Sequence, residues 1–296
     1  MDLCHIQHHV YYLPGVVNIG VIAGRDGQAV LIDSGVGDRH AKQLLRALEP
    51  LGLTPAAIFN THGHGDHTGG NAYIVEQTGA RIYAPALDSV LLEYPEWATL
   101  CLFGGAEPIH ELAVPRFAPR RSRPDVLVAE GAYDVAGVTV EALALPGHTG
   151  AHTGYCVRGV LFTGDLLSSA EELRDRRIGY SYSVTMRLAS LQRLRQLPAD
   201  YYVLSHDAVY ADISDLLAAN LAQIEETLDY LRARVAASPV EAHDLVSEYC
   251  ARFGVSLRHV RDYYMVSPAL HAYLSHLHNT GEITCTVQDG RLYWHT

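Results

Sequence analysis

The stretch Thr61-His62-Gly63-His64-Gly65-Asp66-His67 places three histidines and an aspartate within six positions. Imidazole nitrogens and carboxylate oxygens are good ligands for a borderline-soft divalent cation. The interleaved glycines carry no Cβ, so the backbone can bend tightly and approach an ion closely. On a flat strand, alternation would send His67 to the face opposite His62, His64 and Asp66. Convergence of all four therefore requires a loop, and this one follows the apolar run Ala56 to Phe59, at a strand end.

The same layout recurs along the chain. Leu143-Ala144-Leu145 runs into Pro146-Gly147-His148, Val160-Leu161-Phe162 into Thr163-Gly164-Asp165, and Tyr202-Val203-Leu204 into Ser205-His206. Each time an apolar strand ends in a candidate ligand, and strand ends on one side of an open α/β sheet are where such folds place their sites. Five histidines and two aspartates, His62, His64, Asp66, His67, His148, Asp165 and His206, are enough for two metal ions. The other twelve of the 17 histidines, His5, His8, His9, His40 and His110 among them, read as packed or solvated; His152 reads as a neighbour of the site rather than a ligand.

The elements that must position these residues are short apolar runs: Val16 to Ala23, Ala29 to Ile32, Ala56 to Phe59, Val138 to Leu145, Val160 to Phe162 and Tyr201 to Leu204, punctuated by Gly, Pro, Asn and Asp. Helical patterns lie between them at Arg39 to Leu48, Gly70 to Gln77 and Ser183 to Leu197, the last with Met186, Ala189, Ser190, Leu194 and Leu197 on one stripe. This mixture predicts an α/β sandwich. Residues 88–125 carry Pro95, Pro108, Pro115, Pro119 and Pro124 and a Gly104-Gly105 pair, which breaks regular structure and reads as an insertion or lid. Its four arginines between Arg116 and Arg123 read as a solvated loop or as a clamp for an anionic substrate.

From Asp212 the composition changes. Ile213 to Val235 predicts an amphipathic helix; Ser238-Pro239 reads as the start of another, with helical patterns at Val240 to Phe253, Leu257 to Tyr264 and Pro268 to His278. Glu282 to Val287 and Arg291 to His295 flank Gln288-Asp289-Gly290 as a β-hairpin. Helices followed by a hairpin resemble a winged-helix module. The expected division is residues 1–211 as the catalytic domain and 212–296 as a small helical, winged-helix-like domain.

The ligand run with His148, Asp165 and His206 after it resembles the ligand set of the metallo-β-lactamase superfamily. Leu31-Ile32-Asp33-Ser34-Gly35 resembles its first motif and Pro146-Gly147-His148-Thr149 its third, and the resemblance runs over about residues 10 to 210. It implies an αβ/βα sandwich with the site at one edge of two sheets. It also implies that His62, His64 and His148 hold one ion, that Asp66, His67 and His206 hold the other, and that Asp165 bridges them. Asp33 has no ligand position in that scheme and is expected to orient the ligand loop through hydrogen bonds. Zinc is the expected metal, two ions per chain; iron or manganese would suit the same donors. His64 stands where flavo-diiron relatives carry Glu, which points away from that branch.

Two zinc ions roughly 3.5–4 Å apart make hydroxide available near neutral pH and polarise a substrate oxygen. The implied reaction is attack on the carbonyl of a small thioester, lactone or ester, with Asp66 orienting the nucleophile. Pro146-Gly147-His148-Thr149-Gly150 and Phe162-Thr163-Gly164-Asp165 resemble the glyoxalase II-like subgroup. Lys42 is the only lysine, so the C-terminal region has no lysine pattern for glutathione, which points away from hydroxyacylglutathione as the specific substrate. Tyr180 and Tyr182 read equally as pocket hydrogen-bond donors and as packing residues.

The alternative is a metal-dependent endoribonuclease that holds nucleic acid with its C-terminal domain. Between Val240 and Thr296, however, Arg252, Arg258, Arg261 and Arg291 face six carboxylates, and the whole chain carries a net charge of -11. That balance disfavours phosphate binding. A non-catalytic binding protein that kept the fold would be expected to have lost a ligand. Five scattered cysteines, Cys4, Cys101, Cys156, Cys250 and Cys285, form no CxxC pair and predict neither a disulfide framework nor a cysteine zinc site. The start, Met1 to His5, has neither the basic nor the apolar block of a signal peptide, and no run is long enough to span a membrane; a cytoplasmic location is expected. The apolar helix from Ile213 suggests a homodimer.

Overall fold

The computed structural model describes residues 2–114, 116–176 and 178–296; Met1 and Pro115, which entered the expectations above, lie outside them. The first half of the chain builds β1 (Cys4–Gln7), β2 (Val10–Leu13), β3 (Ile19–Ala23), β4 (Gln28–Ile32), α1 (Gly37–Leu48), β5 (Thr54–Phe59), α2 (Gly65–Thr68), α3 (Asn71–Thr78), β6 (Arg81–Pro85), α4 (Ser89–Glu93), α5 (Glu96–Leu102) and β7 (Val126–Val128). These strands lie side by side in chain order, antiparallel up to β4 and parallel from β4 to β7. Then come β8 (Gly131–Val135), β9 (Val138–Ala144), β10 (Thr153–Val157), β11 (Val160–Phe162), α6 (Ala170–Arg176), α7 (Val184–Leu194), β12 (Tyr201–Val203) and β13 (Val209–Tyr210), forming a second sheet in the order β13-β12-β11-β10-β9-β8.

Strand periodicity makes the sandwich. In β4, Val30 and Ile32 point towards the second sheet, while Ala29 and Leu31 point towards Ala41, Leu44 and Leu48 of α1 and Ile74 of α3. A strand buried on both faces reads as an unbroken apolar run, as Ala29 to Ile32 does. On the other side, Val138, Val140 and Ala142 of β9 meet the first sheet. Leu143 and Leu161 instead join Leu191 and Leu194 of α7 outside it. The order of layers is helix, sheet, sheet, helix: an αβ/βα sandwich.

The C-terminal region comprises α8 (Ser214–Ala237), β14 (Val240–Glu241), α9 (Ala242–Phe253), α10 (Val260–Asn279), β15 (Thr284–Gln288) and β16 (Arg291–His295). β14 and β15 flank β16. Gln288 pairs with Arg291, and Asp289 and Gly290 both take positive φ, as a two-residue hairpin turn demands. The apolar residues of α8 that suggested a homodimer, Leu217, Ile224, Leu228 and Leu231, are buried within the chain, in one cluster that runs from Leu143 to Trp294. No described helix is long and apolar enough to cross a membrane.

Several local expectations are corrected. Residues 88–125 are not devoid of regular structure: α4 and α5 fit between the prolines, with Pro95 at the start of α5. Ser238-Pro239 does not start a helix. Val240 and Glu241 pair with β16, and the helix begins at Ala242, where the Glu241 carboxylate accepts from the His243 N–H. Leu257 to Tyr264 and Pro268 to His278 are not separate helices, because α10 continues through Pro268. An interior proline costs about 3 kcal/mol; burial of Val266, Leu270, Tyr273, Leu274 and Leu277 along the same helix offsets it. In α7, Met186 is exposed and Arg187 takes the buried position. The strands β1, β2, β6, β7, β8, β10 and β13 were not among the expected runs.

Candidate metal centre

Each chemically competent side chain sits just past a strand: Asp33 after β4, the 60–67 segment after β5, His148 after β9, Asp165 after β11 and His206 after β12. The ligand run is not loop throughout. The chain bends at Thr61 to Gly63, His64 is extended, and then α2 makes one helical turn, with the His67 N–H donating to the His64 carbonyl at 3.0 Å. That turn brings His67 round to the side that His62 and His64 face, because residues three apart on a helix are neighbours. The glycines permit close packing of backbone above them: a Cβ on Gly63 would lie 2.6 Å from the Asp88 carbonyl oxygen, and one on Gly65 would lie 2.5 Å from that of Arg116.

All seven sequence-predicted residues come together. His62 Nε2 and His148 Nε2 each lie 3.0 Å from His64 Nδ1. Asp165 Oδ1 is 3.2 Å from His67 Nε2, and its Oδ2 is 3.2 Å from His206 Nε2 and 3.5 Å from His148 Nε2. His206 Nε2 is 3.9 Å from Asp66 Oδ2. Ligand atoms of His62, His64 and His148, of His62, His67 and Asp165, and of Asp66, His67 and His206 lie within 4.8 Å of one another in each group.

The outward nitrogen of four rings is anchored, which aims the inward one. His67 Nδ1 donates to Asp33 Oδ2 at 2.8 Å, His148 Nδ1 to the Tyr180 carbonyl at 3.2 Å and His206 Nδ1 to the Val16 carbonyl at 2.7 Å. His62 Nδ1 lies 3.0 Å from Thr61 Oγ1. Asp33 also accepts from the Thr61 N–H at 2.8 Å and from Thr61 Oγ1 at 2.9 Å. His152 points its Nε2 at the Asp165 N–H, 3.0 Å away, and so positions that carboxylate from behind.

The buried rings and carboxylates shift one another strongly. Burial, reinforced by neighbouring rings, holds His62 and His148 well below the ordinary imidazole value. Burial acts against charge on His67 too, but Asp165 and Asp33 outweigh it and hold this ring well above. Burial would raise Asp165, yet His206 and His67 hold it well below the usual carboxylate range. Two atoms bear directly on whether a metal fits. His67 Nε2 and Asp165 Oδ1 are buried and lack a hydrogen-bond partner among the described residues, although they face one another. Converging nitrogen and carboxylate donors with unsatisfied buried atoms suit a cation of zinc's type.

Two residues at the site escaped the sequence reading, and a third, Arg116, was read there only as part of a solvated loop or an anion clamp. Asp88 is buried, and its Oδ2 accepts from the Gly63 N–H at 3.1 Å and from the Thr149 hydroxyl, joining the first ligand loop to the 148–150 loop. Arg187 is buried and donates to Ser181 Oγ and the Leu166 carbonyl, tying the segments on either side of α6. Arg116, one of the four arginines of 116–123, reaches Asp66; Arg120 pairs with Asp38 and Glu76, and Arg121 with Glu96. Tyr180 and Tyr182 both line the cavity over the cluster. The Tyr180 ring stands edge-on to His64 and His148, and Tyr182 is largely exposed.

A model of the metallo-beta-lactamase superfamily matches residues 12–206. The chain belongs to the metallo-β-lactamase superfamily. Hydroxyacylglutathione hydrolase of Xanthomonas axonopodis pv. citri (strain 306) is 30% identical over 185 residues, which cover 62% of this chain and 58% of that protein. Hydroxyacylglutathione hydrolase of Shewanella baltica (strain OS185) is 30% identical over 194 residues, covering 65% and 62%. The chain thus spans about three fifths of the length of these glyoxalase II-like relatives. A metallo-beta-lactamase family protein from Thermus thermophilus has the same fold, at 24% identity and a TM-score of 0.74 over 97% of this chain and 99% of that one. A beta-lactamase domain protein from Burkholderia ambifaria aligns at 20% identity and a TM-score of 0.75, covering 99% and 93%.

Proposed function

We propose that this chain is a dinuclear metal-dependent hydrolase, with zinc as the metal, acting on the carbonyl of a thioester, lactone or related ester. The carrying observation is the three overlapping donor groups, with Asp165 facing ring nitrogens of both metal positions. His62, His64 and His148 would hold one ion, Asp66, His67 and His206 the other, and Asp165 would serve both. Metal ions in such a site supply Lewis acidity and make hydroxide available near neutral pH.

The chain's own groups do the rest. Asp33 fixes the His67 ring so that Nε2 faces the cluster. Asp66 is held ionised: burial raises its pKa, but His67 and Arg116 outweigh this, and its carboxylate accepts a hydrogen bond from the attacking water and sets its direction. Burial pushes the Tyr180 phenol up, so its hydroxyl stays protonated and able to donate to the oxygen on which charge develops.

Likeness to hydroxyacylglutathione hydrolases favours a thioester; the lone Lys42 argues for a group other than glutathione. The 212–296 region, read as a winged-helix-like domain, supports a ribonuclease poorly. Its Arg232 is engaged by Glu225, Asp229 and Glu282, and its Arg234 by Glu248. A cytoplasmic setting suits the five free cysteines.

The test is elemental analysis of purified protein beside hydrolysis of thioester, lactone and single-stranded RNA panels. Two zinc ions per chain with thioester or lactone turnover support the reading. His64→Ala and Asp165→Ala should each lose metal and activity while circular dichroism stays close to that of the parent chain. Turnover retained in both variants would sink it.

A further inference from the structure

The cavity over the cluster has a volume of about 740 Å³, within the roughly 300–1,000 Å³ typical of clefts that engulf a drug-sized ligand. The metal-centre residues His64, Asp66, His148, Asp165 and His206 line it, with Asp88, Arg116, Glu172 and Arg187 as further charged groups, of which Arg116 is neutralised by Asp66, and the rest of the lining is mostly apolar. Exposed hydrophobics normally lie scattered and singly, and a gathering of them marks a binding surface. Here Val16, Leu87, Val90, Trp97 and Tyr182, each between 43% and 64% exposed, all line this one cavity.

Two further observations show that the apolar part is built into the site. Gly150 lies two residues from His148, between Leu87 and Tyr182. A Cβ there would come 2.6 Å from Leu87 Cδ2 and 3.5 Å from Tyr182 Cε1, so glycine keeps the wall open beside the cluster. The far wall includes Met265 of α10, a helix beyond the residues matched by the superfamily model, and Phe103 next to α5 packs on Tyr264 with ring centroids 5.2 Å apart. The 88–125 segment and the C-terminal region thus form this wall together.

We infer that the cavity holds a long alkyl chain attached to the reacting carbonyl, so that the substrate is a medium- or long-chain acyl compound rather than a small or highly charged one. This rests on the hydrolase reading above. The metal-centre end takes the carbonyl, and Leu87, Val90, Trp97 and Tyr182 take the chain.

The test uses the full-length zinc-loaded protein and N-acetylcysteamine thioesters from acetyl to decanoyl. The expected kcat/KM rises roughly two- to fourfold per added methylene until the cavity is filled. Gly150→Leu, and independently Trp97→Asp in case the first variant folds poorly, should lower the decanoyl-to-acetyl ratio at least tenfold with zinc content retained. A flat profile in the parent protein, with acetyl thioester hydrolysed, overturns the inference and leaves the hydrolase reading standing. If zinc-loaded protein turns over no thioester, lactone or ester, the hydrolase reading fails, and chain binding decides separately. Trp97 and Trp294 are the only tryptophans, so in a Trp294→Phe background fluorescence reports on Trp97. A saturable change with decanoate but not acetate supports the alkyl site, and no change with either overturns it.

Discussion

The Arg116 guanidinium closes on the Asp66 carboxylate, with Nε 3.1 Å and Nη2 2.9 Å from the same oxygen, Oδ2. Asp66 is buried and Arg116 is about half exposed, so a cation from the 88–125 segment occupies a carboxylate proposed as a metal ligand. Arginine and a metal ion then compete for one oxygen. Arg116→Ala should tighten the ion held by Asp66, His67 and His206 by about two- to fivefold, the range of a partly exposed ion pair. Chelator competition on the variant and parent measures this, and equal or weaker binding in the variant would show that no such competition exists.

Asp33 invites a different expectation, because it touches the cluster only through His67 and Thr61. Partners of this kind commonly contribute 10–100-fold to metal affinity (about 1.4–2.7 kcal/mol). Asp33→Ala should lose zinc in that range and leave the ring of His67 free to turn. Dialysis against graded zinc concentrations, read by elemental analysis, tests it; unchanged affinity would reduce Asp33 to a packing residue.

The donors were legible because their chemistry is crowded into 62–67 and repeated where apolar runs end. Strand-end ligands leave a local trace: a few branched apolar residues, a glycine, then a His or Asp. Asp88 leaves none. Its partners are Gly63 and Thr149, far away in the chain, and its own neighbourhood reads as insertion. Arg187 was hidden for the opposite reason: helical periodicity assigns the buried stripe to apolar residues, and Met186 took the place that the structure gives to the guanidinium. α10 was split in two because a proline is a strong local breaker, whereas the burial that carries the helix through Pro268 comes from distant elements. β10 is short and mixes Thr153, Gly154 and Cys156 with Tyr155, so its pairing with β9 and β11 has little local signal.

Burial in the C-terminal cluster pushes the Tyr273 phenol from 10.0 up to about 12. The folded chain therefore holds this proton more tightly than the unfolded chain does. Its contribution is fully present below about pH 10 and is lost as pH rises towards 12, because the folded state binds more protons in that window. At 1.36 kcal/mol per pKa unit the loss approaches roughly 3 kcal/mol. Urea unfolding at pH 9, 10, 11 and 12 should show a shallower decline for Tyr273→Phe than for the parent chain. Parallel declines would mean that Tyr273 does not carry the alkaline sensitivity.

The boundary proposed at 211/212 is a statement about chain order more than about packing. Leu143, Leu145, Leu161, Leu191 and Leu194 from the sandwich share one buried cluster with Leu217, Ile224, Leu228 and Leu231 of α8 and with Leu270 and Leu274 of α10. Removing 212–296 would uncover that outer face of the second sheet, and large exposed apolar patches drive association. A chain ending at residue 211 should therefore aggregate, or bind anilinonaphthalene sulfonate strongly, while the full chain does neither. The wall containing Met265 would be lost as well, opening the cavity to solvent. A truncated chain that stays monomeric in light scattering and unfolds cooperatively at the parent Tm would establish 1–211 as a self-sufficient domain, with the shared cluster contributing little to its stability.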